Sequence, residues 1–103
     1  MGRIHYGGTS SPIHVEDRTL AHLTLVMTTK LRRGESFTVS WPHCDDEPTG
    51  RSSIWIHPAI ALRFDFDGSE PPTLNRQYLM ELARSASSTE GIRLTAEDMG
   101  RRG

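Results

Sequence analysis

The sequence contains one lysine, Lys30, against eleven arginines. A lysine that takes up AMP in a ligase-type reaction sits in a Lys-x-Asp-Gly run, because the amine needs a neighbouring carboxylate and a tight turn at the nucleotide. Here the run is Lys30-Leu31-Arg32-Arg33-Gly34, and Arg32 stands where the aspartate belongs. Carboxylates are the second candidate chemistry. Asp65 and Asp67 are two apart, and Asp45, Asp46 and Glu47 form an acidic loop. Paired carboxylates with water could hold Mg²⁺, but the same pattern describes a solvated strand face beside a polar loop, and no metal site is predicted. His43 and Cys44 are adjacent, a poor spacing for two ligands of one metal, and His5, His14, His22 and His57 are scattered. No nucleophile elbow, P-loop or dinucleotide fingerprint occurs, so neither catalytic residues nor a cofactor are predicted.

The remaining signal is basic and aromatic. Lys30, Arg32 and Arg33, joined by Arg51 and Arg76, could contact phosphates. Trp55 and His57 fall on the side of a strand opposite its isoleucines, where a flat ring can stack on a base or anchor a protein contact. Tryptophan and arginine are enriched at protein–protein hot spots. The same residues also fit ordinary helix-end charge and an aromatic that covers the sheet.

These residues have little scaffold to hold them. The chain has 103 residues, 35% of them apolar, and a net charge of −1. That length suits one domain with one two-layer core and little room for an enclosed cavity. Near-neutral charge gives no long-range pull toward nucleic acid or membrane. The single cysteine, the lack of an apolar leader and the lack of a membrane-length apolar run lead us to expect a cytoplasmic protein with no membrane partner.

Hydropathy patterning divides the chain into eight elements. Arg3 to Tyr6 and Pro12 to Val15 read as a hairpin. Asp17 is placed to cap a helix from Arg18 to about Arg33, whose Leu20, Leu23, Met27 and Leu31 form a buried stripe and which Gly34 ends. Phe37, Val39 and Trp41 alternate with Ser36, Thr38 and Ser40 in a strand that Pro42 stops. Ser52 to His57 and Ile60 to Asp67 are further strands. Asn75 is the N-cap of a second helix, with Leu74 and Leu79 spaced as a hydrophobic staple, and Ile92 and Leu94 suggest a last strand. The order β-β-α-β-β-β-α-β predicts an α+β fold: two layers, a mainly antiparallel sheet and both helices on one face. Residues 1–99 form the domain, and 100–103 a flexible tail.

Several blocks resemble a family of small actinobacterial proteins: Asp17-Arg18-x-Leu20-Ala21-His22-Leu23, Lys30-Leu31-Arg32-Arg33-Gly34-Glu35-Ser36-Phe37, and Arg51-Ser52-Ser53-Ile54-Trp55-Ile56-His57-Pro58. The resemblance runs along almost the whole chain and includes Tyr6-Gly7 and Asn75-Arg76. The family is a domain of unknown function whose members often carry the label "ATP-dependent DNA ligase". The resemblance implies actinobacterial origin and brings the ligase label with it, but no catalytic residues.

The residues therefore favour a small binding module that contacts a protein partner or itself through Arg32, Arg33, Arg51, Trp55, His57 and Arg76. A ligase or ligase accessory and a nucleic-acid binder remain the alternatives.

Overall fold

The computed structural model describes residues 1–8, 11–43 and 47–100. In chain order the elements are β1 (Gly2–Tyr6), β2 (Ile13–Val15), α1 (Asp17–Arg32), β3 (Phe37–Pro42), β4 (Arg51–Ile56), β5 (Leu62–Asp65), α2 (Arg76–Ser87) and β6 (Ile92–Arg93). The fold is α+β with the expected element order.

The strands divide between two three-stranded sheets, where patterning alone had drawn one. One sheet runs β2-β1-β5, all antiparallel; the other runs β4-β3-β6. Neighbouring strands in sequence usually pair, but β5 leaves β4 and joins β1, with Arg63 opposite His5 and Leu62 opposite Tyr6. β6 returns parallel to β3 because α2 lies between them in the chain, as a parallel connection requires.

One core joins both sheets and both helices. Ile4, Ile13 and Val15 of the first sheet, Leu20, Leu23, Val26 and Met27 of α1, Phe37, Val39, Ile56 and Ile92 of the second sheet, and Leu82 and Ala86 of α2 all belong to it. Each fully buried aliphatic side chain contributes about 1.5–3 kcal/mol relative to exposure, so this cluster sets the layer order. Along α1, Thr24, Thr28 and Thr29 donate their hydroxyls to carbonyls four residues back, so they pass through the helix with no unpaired polar atom. The helix ends in a Schellman motif: Glu35 N–H reaches the Lys30 carbonyl and Gly34 N–H the Leu31 carbonyl, with Gly34 at φ +72°.

Three local expectations are corrected. Asp17 is the first residue of α1 and does not cap it; its carboxylate accepts the Asp67 and Gly68 amides, at 3.4 and 2.9 Å, across the sheet. The strand expected from Ile60 starts only at Leu62, because Ile60 lies in the turn closed by its amide to the His57 carbonyl. Asn75 does cap α2, accepting the Tyr78 amide at 2.9 Å, but Leu74 is exposed and lines a shallow pocket with Phe66 and Pro72. At the C-terminal end, Met99 belongs to the core and Gly100 donates its amide to the Glu97 carbonyl; residues 101–103 of the expected tail lie outside the described residues.

Candidate functional site

The face of interest is set by strand parity. Leu94 N–H donates to the Ser40 carbonyl at 2.8 Å, so the even residues of β3 turn their backbone toward β6 and the odd ones toward β4. Phe37, Val39 and Trp41 stand opposite Ile56, Ile54 and Ser52, and these pairs carry the hydrogen bonds between the two strands. Their side chains face the core. The alternate pairs, Thr38 with Trp55, Ser40 with Ser53 and Pro42 with Arg51, put their side chains on the other side of the sheet. Parallel pairing brings Arg93 beside Ser40 on that same side.

Among the described residues this outer side is open along β4, while Ser40 on β3 is buried and Thr38 and Pro42 are half-buried. Trp55 is 61% exposed, and Arg51, Ser53, His57 and Arg93 are exposed around it. Arg51 donates to Ser40 Oγ at 3.2 Å, which lays its guanidinium along the sheet, and Arg93 pairs with Glu90 at 3.4 Å. Trp55 stands on a fixed piece of backbone. The Tyr6 hydroxyl, from the other sheet, donates to the Trp55 carbonyl at 2.6 Å and accepts the His57 amide at 3.0 Å. His57 holds the next turn by accepting the Ala59 amide on Nδ1 at 3.0 Å. Neither Tyr6 nor Arg93 was singled out by sequence reasoning. Tyr6 lies far from Trp55 in the chain, and Arg93 joins the face only through the parallel crossover.

The six residues expected to form one surface fall on two. Arg51, Trp55 and His57 belong to the β4 region. Arg33 and Arg76 border a groove of about 340 Å³ between α1 and α2, beside Leu25, Leu79 and Met80, and Arg32 is exposed in the last turn of α1. Because α2 packs on the core side of β3, this groove belongs to the helix layer, away from Trp55. Lys30 is tied into the same helix end: its ammonium pairs with Glu35 at 3.1 Å, lies 3.4 Å from Ser87 Oγ, and is largely covered.

The carboxylates are engaged by cations of the first sheet. Asp65 receives Arg63 Nε and His5 Nε2, each at 2.9 Å, and the Arg63 hydrogen bond holds its carboxyl below the usual range. Asp67 binds the Met1 amine at 2.7 Å and Arg3 at 3.1 Å, and the amine contact lowers it likewise. Among the described residues no group of three His, Cys, Asp or Glu side chains is placed to hold a metal ion. Cys44, Asp45 and Asp46, which entered the sequence argument, lie outside the described residues. His43 donates Nδ1–H to the Pro48 carbonyl at 2.9 Å and accepts the Ser52 hydroxyl on Nε2 at 2.7 Å, tying Pro48 to β4.

A second polar depression, of about 470 Å³, lies over the starts of the two helices. Its floor holds buried His22, whose Nδ1 faces the Arg18 carbonyl and whose Nε2 accepts the Asn75 amide, both at 2.7 Å. Tyr78 packs edge-on to that ring at 4.8 Å and donates to Asp98 at 3.0 Å. Burial, and then the Asp98 charge, push its phenol well above the usual value. Among the described residues no buried side-chain polar atom lacks a partner, so His22, Tyr78 and Asp98 spend their hydrogen bonds on closing the helix pair.

No helix among the described residues is long and apolar enough to cross a membrane. No curated protein and no solved structure matches the chain significantly. The family model for the domain of unknown function DUF7882 matches residues 1–97, nearly the whole α+β unit with both sheets, and the chain belongs to that family.

Proposed function

We propose that the protein is a non-catalytic interaction module whose outer β4-β3-β6 face docks a protein partner, with Trp55 as the anchor. The observation that carries this reading is a tryptophan 61% exposed on backbone that Tyr6 holds on its C-terminal side, at the Trp55 carbonyl and the His57 amide. An aromatic carried on backbone that is already held gives up less freedom on binding, which helps an anchor gain affinity. Thr38 and Ser53 around it supply hydrogen-bonding groups, and Arg51, resting on the buried Ser40 hydroxyl, adds a planar cation.

Two other readings have less support. Single-stranded nucleic acid needs successive rings to stack successive bases; beside Trp55 this side offers the His57 ring, which the Ala59 amide ties into a turn, and Arg33 and Arg76 lie in the helix layer. The ligase label would need Lys30 free to attack a nucleotide, and Lys30 is held by Glu35 and Ser87.

Trp55→Ala tests the proposal. The variant should keep the native circular dichroism and unfolding midpoint and lose the association, with itself or with a co-purified partner protein, that the native chain shows in sedimentation velocity. Unfolding of the variant, or unchanged association, overturns the reading. So does tight, salt-sensitive binding of a single-stranded oligonucleotide that depends on Trp55.

A further inference from the structure

We infer that the partner on this face is a second copy of the chain, joined through the free edge of β4 in antiparallel register about a two-fold axis at Ser53. The inference rests on the Trp55 face being the docking surface, and it names the occupant.

The backbone supplies the first argument. β4 pairs with β3 on one side only, through its even residues. The odd residues Arg51, Ser53 and Trp55 therefore aim their N–H and C=O groups outward. Tyr6 confirms this parity, because its hydroxyl reaches the Trp55 carbonyl and the His57 amide from outside the sheet. Among the described residues no protein group meets the outward N–H or C=O of Ser53 or the outward N–H of Trp55. An open edge of this kind is a template for another strand.

The side chains supply the second argument, because they choose which strand. Turned about Ser53, the sequence Arg51-Ser52-Ser53-Ile54-Trp55 is its own complement. Arg51 falls opposite the second copy's Trp55, Ser53 opposite its equivalent, and Trp55 opposite the second copy's Arg51. All three pairs lie on the outer face, where each Arg51, on leaving Ser40 Oγ, can set its guanidinium on an indole and the two serine hydroxyls can bond. On the inner side the register turns the second copy's Ile54 toward the cleft of about 270 Å³ that Ile4, Ile13 and Trp41 line beside the β4 edge. A two-fold contact of this kind closes on itself. Tyr6, seated between the Trp55 carbonyl and the His57 amide, stops the pairing from running past Trp55, so the outcome is one six-stranded dimer and not a growing ladder.

Amide exchange on the intact chain tests this directly. At about 10 µM the Ser53 and Trp55 amides should exchange fast and those of Ser52, Ile54 and Ile56 slowly; toward about 1 mM Ser53 and Trp55 should become protected as sedimentation shows dimer. Ser53→Pro removes the outward N–H at an edge where proline is tolerated and should leave a folded monomer. Arg51→Ala should weaken the dimer about tenfold. A chain that stays monomeric at about 1 mM overturns the inference yet leaves the docking face standing if a different protein binds in a Trp55-dependent way. A dimer that forms without protection at Ser53, or that survives both Ser53→Pro and Trp55→Ala, overturns the inference and the docking face together.

Discussion

The hydroxyl of Tyr6 and the carbonyl of Trp55 lie 2.6 Å apart, and this bond joins the first sheet to the edge strand of the second. The same hydroxyl accepts the His57 amide, so one side chain satisfies two backbone groups that no strand covers. The ring of Tyr6 packs against the core, and its oxygen fixes the strand that carries the exposed indole.

Tyr6→Phe keeps the ring and removes those two hydrogen bonds. At about 1 kcal/mol for each net hydrogen bond, the variant should lose roughly 1–2 kcal/mol in urea unfolding. Its His57 amide should exchange faster while the β3 amides paired to β4 stay protected. Stability equal to the native chain with unchanged exchange at His57 would show that the contact does not hold the edge.

Gly91 and Gly34 share a left-handed backbone, at φ +74° and +72°, yet they should respond very differently to alanine. At Gly34 an added Cβ meets open space, so the cost is the conformational one, about 1 kcal/mol. At Gly91 the added carbon would collide with the Thr38 carbonyl and sit 2.9 Å from Thr38 Cβ, wedging α2's exit away from β3. Gly91→Ala should cost roughly 3 kcal/mol or more. Denaturant titration of the two variants side by side checks the ranking. Equal losses would mean that β6 does not lie against β3 as described.

Acid should loosen the first sheet before anything else. Asp65 and Asp67 both titrate below the ordinary carboxylate value of 3.8, Asp65 chiefly through Arg63 and Asp67 chiefly through the Met1 amine. Depressed carboxyls stabilise the fold above the unfolded-chain value, and that contribution disappears as pH falls through the folded one. The native melting temperature should thus decline as pH drops from about 4 toward 2. A double variant, Asp65→Asn with Asp67→Asn, should start lower at neutral pH, fall less, and meet the native curve at the acid end. Parallel curves would show that these ion pairs are not linked to folding.

Much of this arrangement was readable beforehand, and the unread part has a common cause. Phe37, Val39, Ile54 and Ile56 announce their faces by alternation, which alone turns Trp55 outward. Leu20, Leu23 and Met27 announced α1 by helical spacing, and Asn75 its own cap. The split into two sheets was not legible, since nothing in Leu62 to Asp65 says whether that strand prefers β4 or β1. Asp17 is the plainest case. Its position before a helical stripe reads as a cap, but its carboxylate is drawn to two amides about fifty residues away, and long-range partners leave no mark on local pattern. His22 shows no local sign of its role for the same reason, because its second partner is the amide of Asn75.

His22 fixes its own tautomer. Nδ1 faces the Arg18 carbonyl, which can only accept, so that nitrogen carries the hydrogen. Nε2 faces the Asn75 amide, which can only donate, so that nitrogen must present its lone pair. A buried ring with both nitrogens committed joins the first turn of α1 to the cap of α2, and Tyr78 closes over it. The ¹⁵N spectrum of the native protein should therefore show a protonated Nδ1 and an unprotonated Nε2 for this residue, the reverse of the tautomer that dominates in free imidazole side chains. His22→Ala should cost about 2–4 kcal/mol, combining the vacated core volume with an unpaired Asn75 amide. The loss should appear first as fraying at Asn75 to Tyr78 in amide exchange. An Nε2-protonated signal would mean that the amide of Asn75 is satisfied elsewhere, and the two helices would then be joined by apolar packing alone.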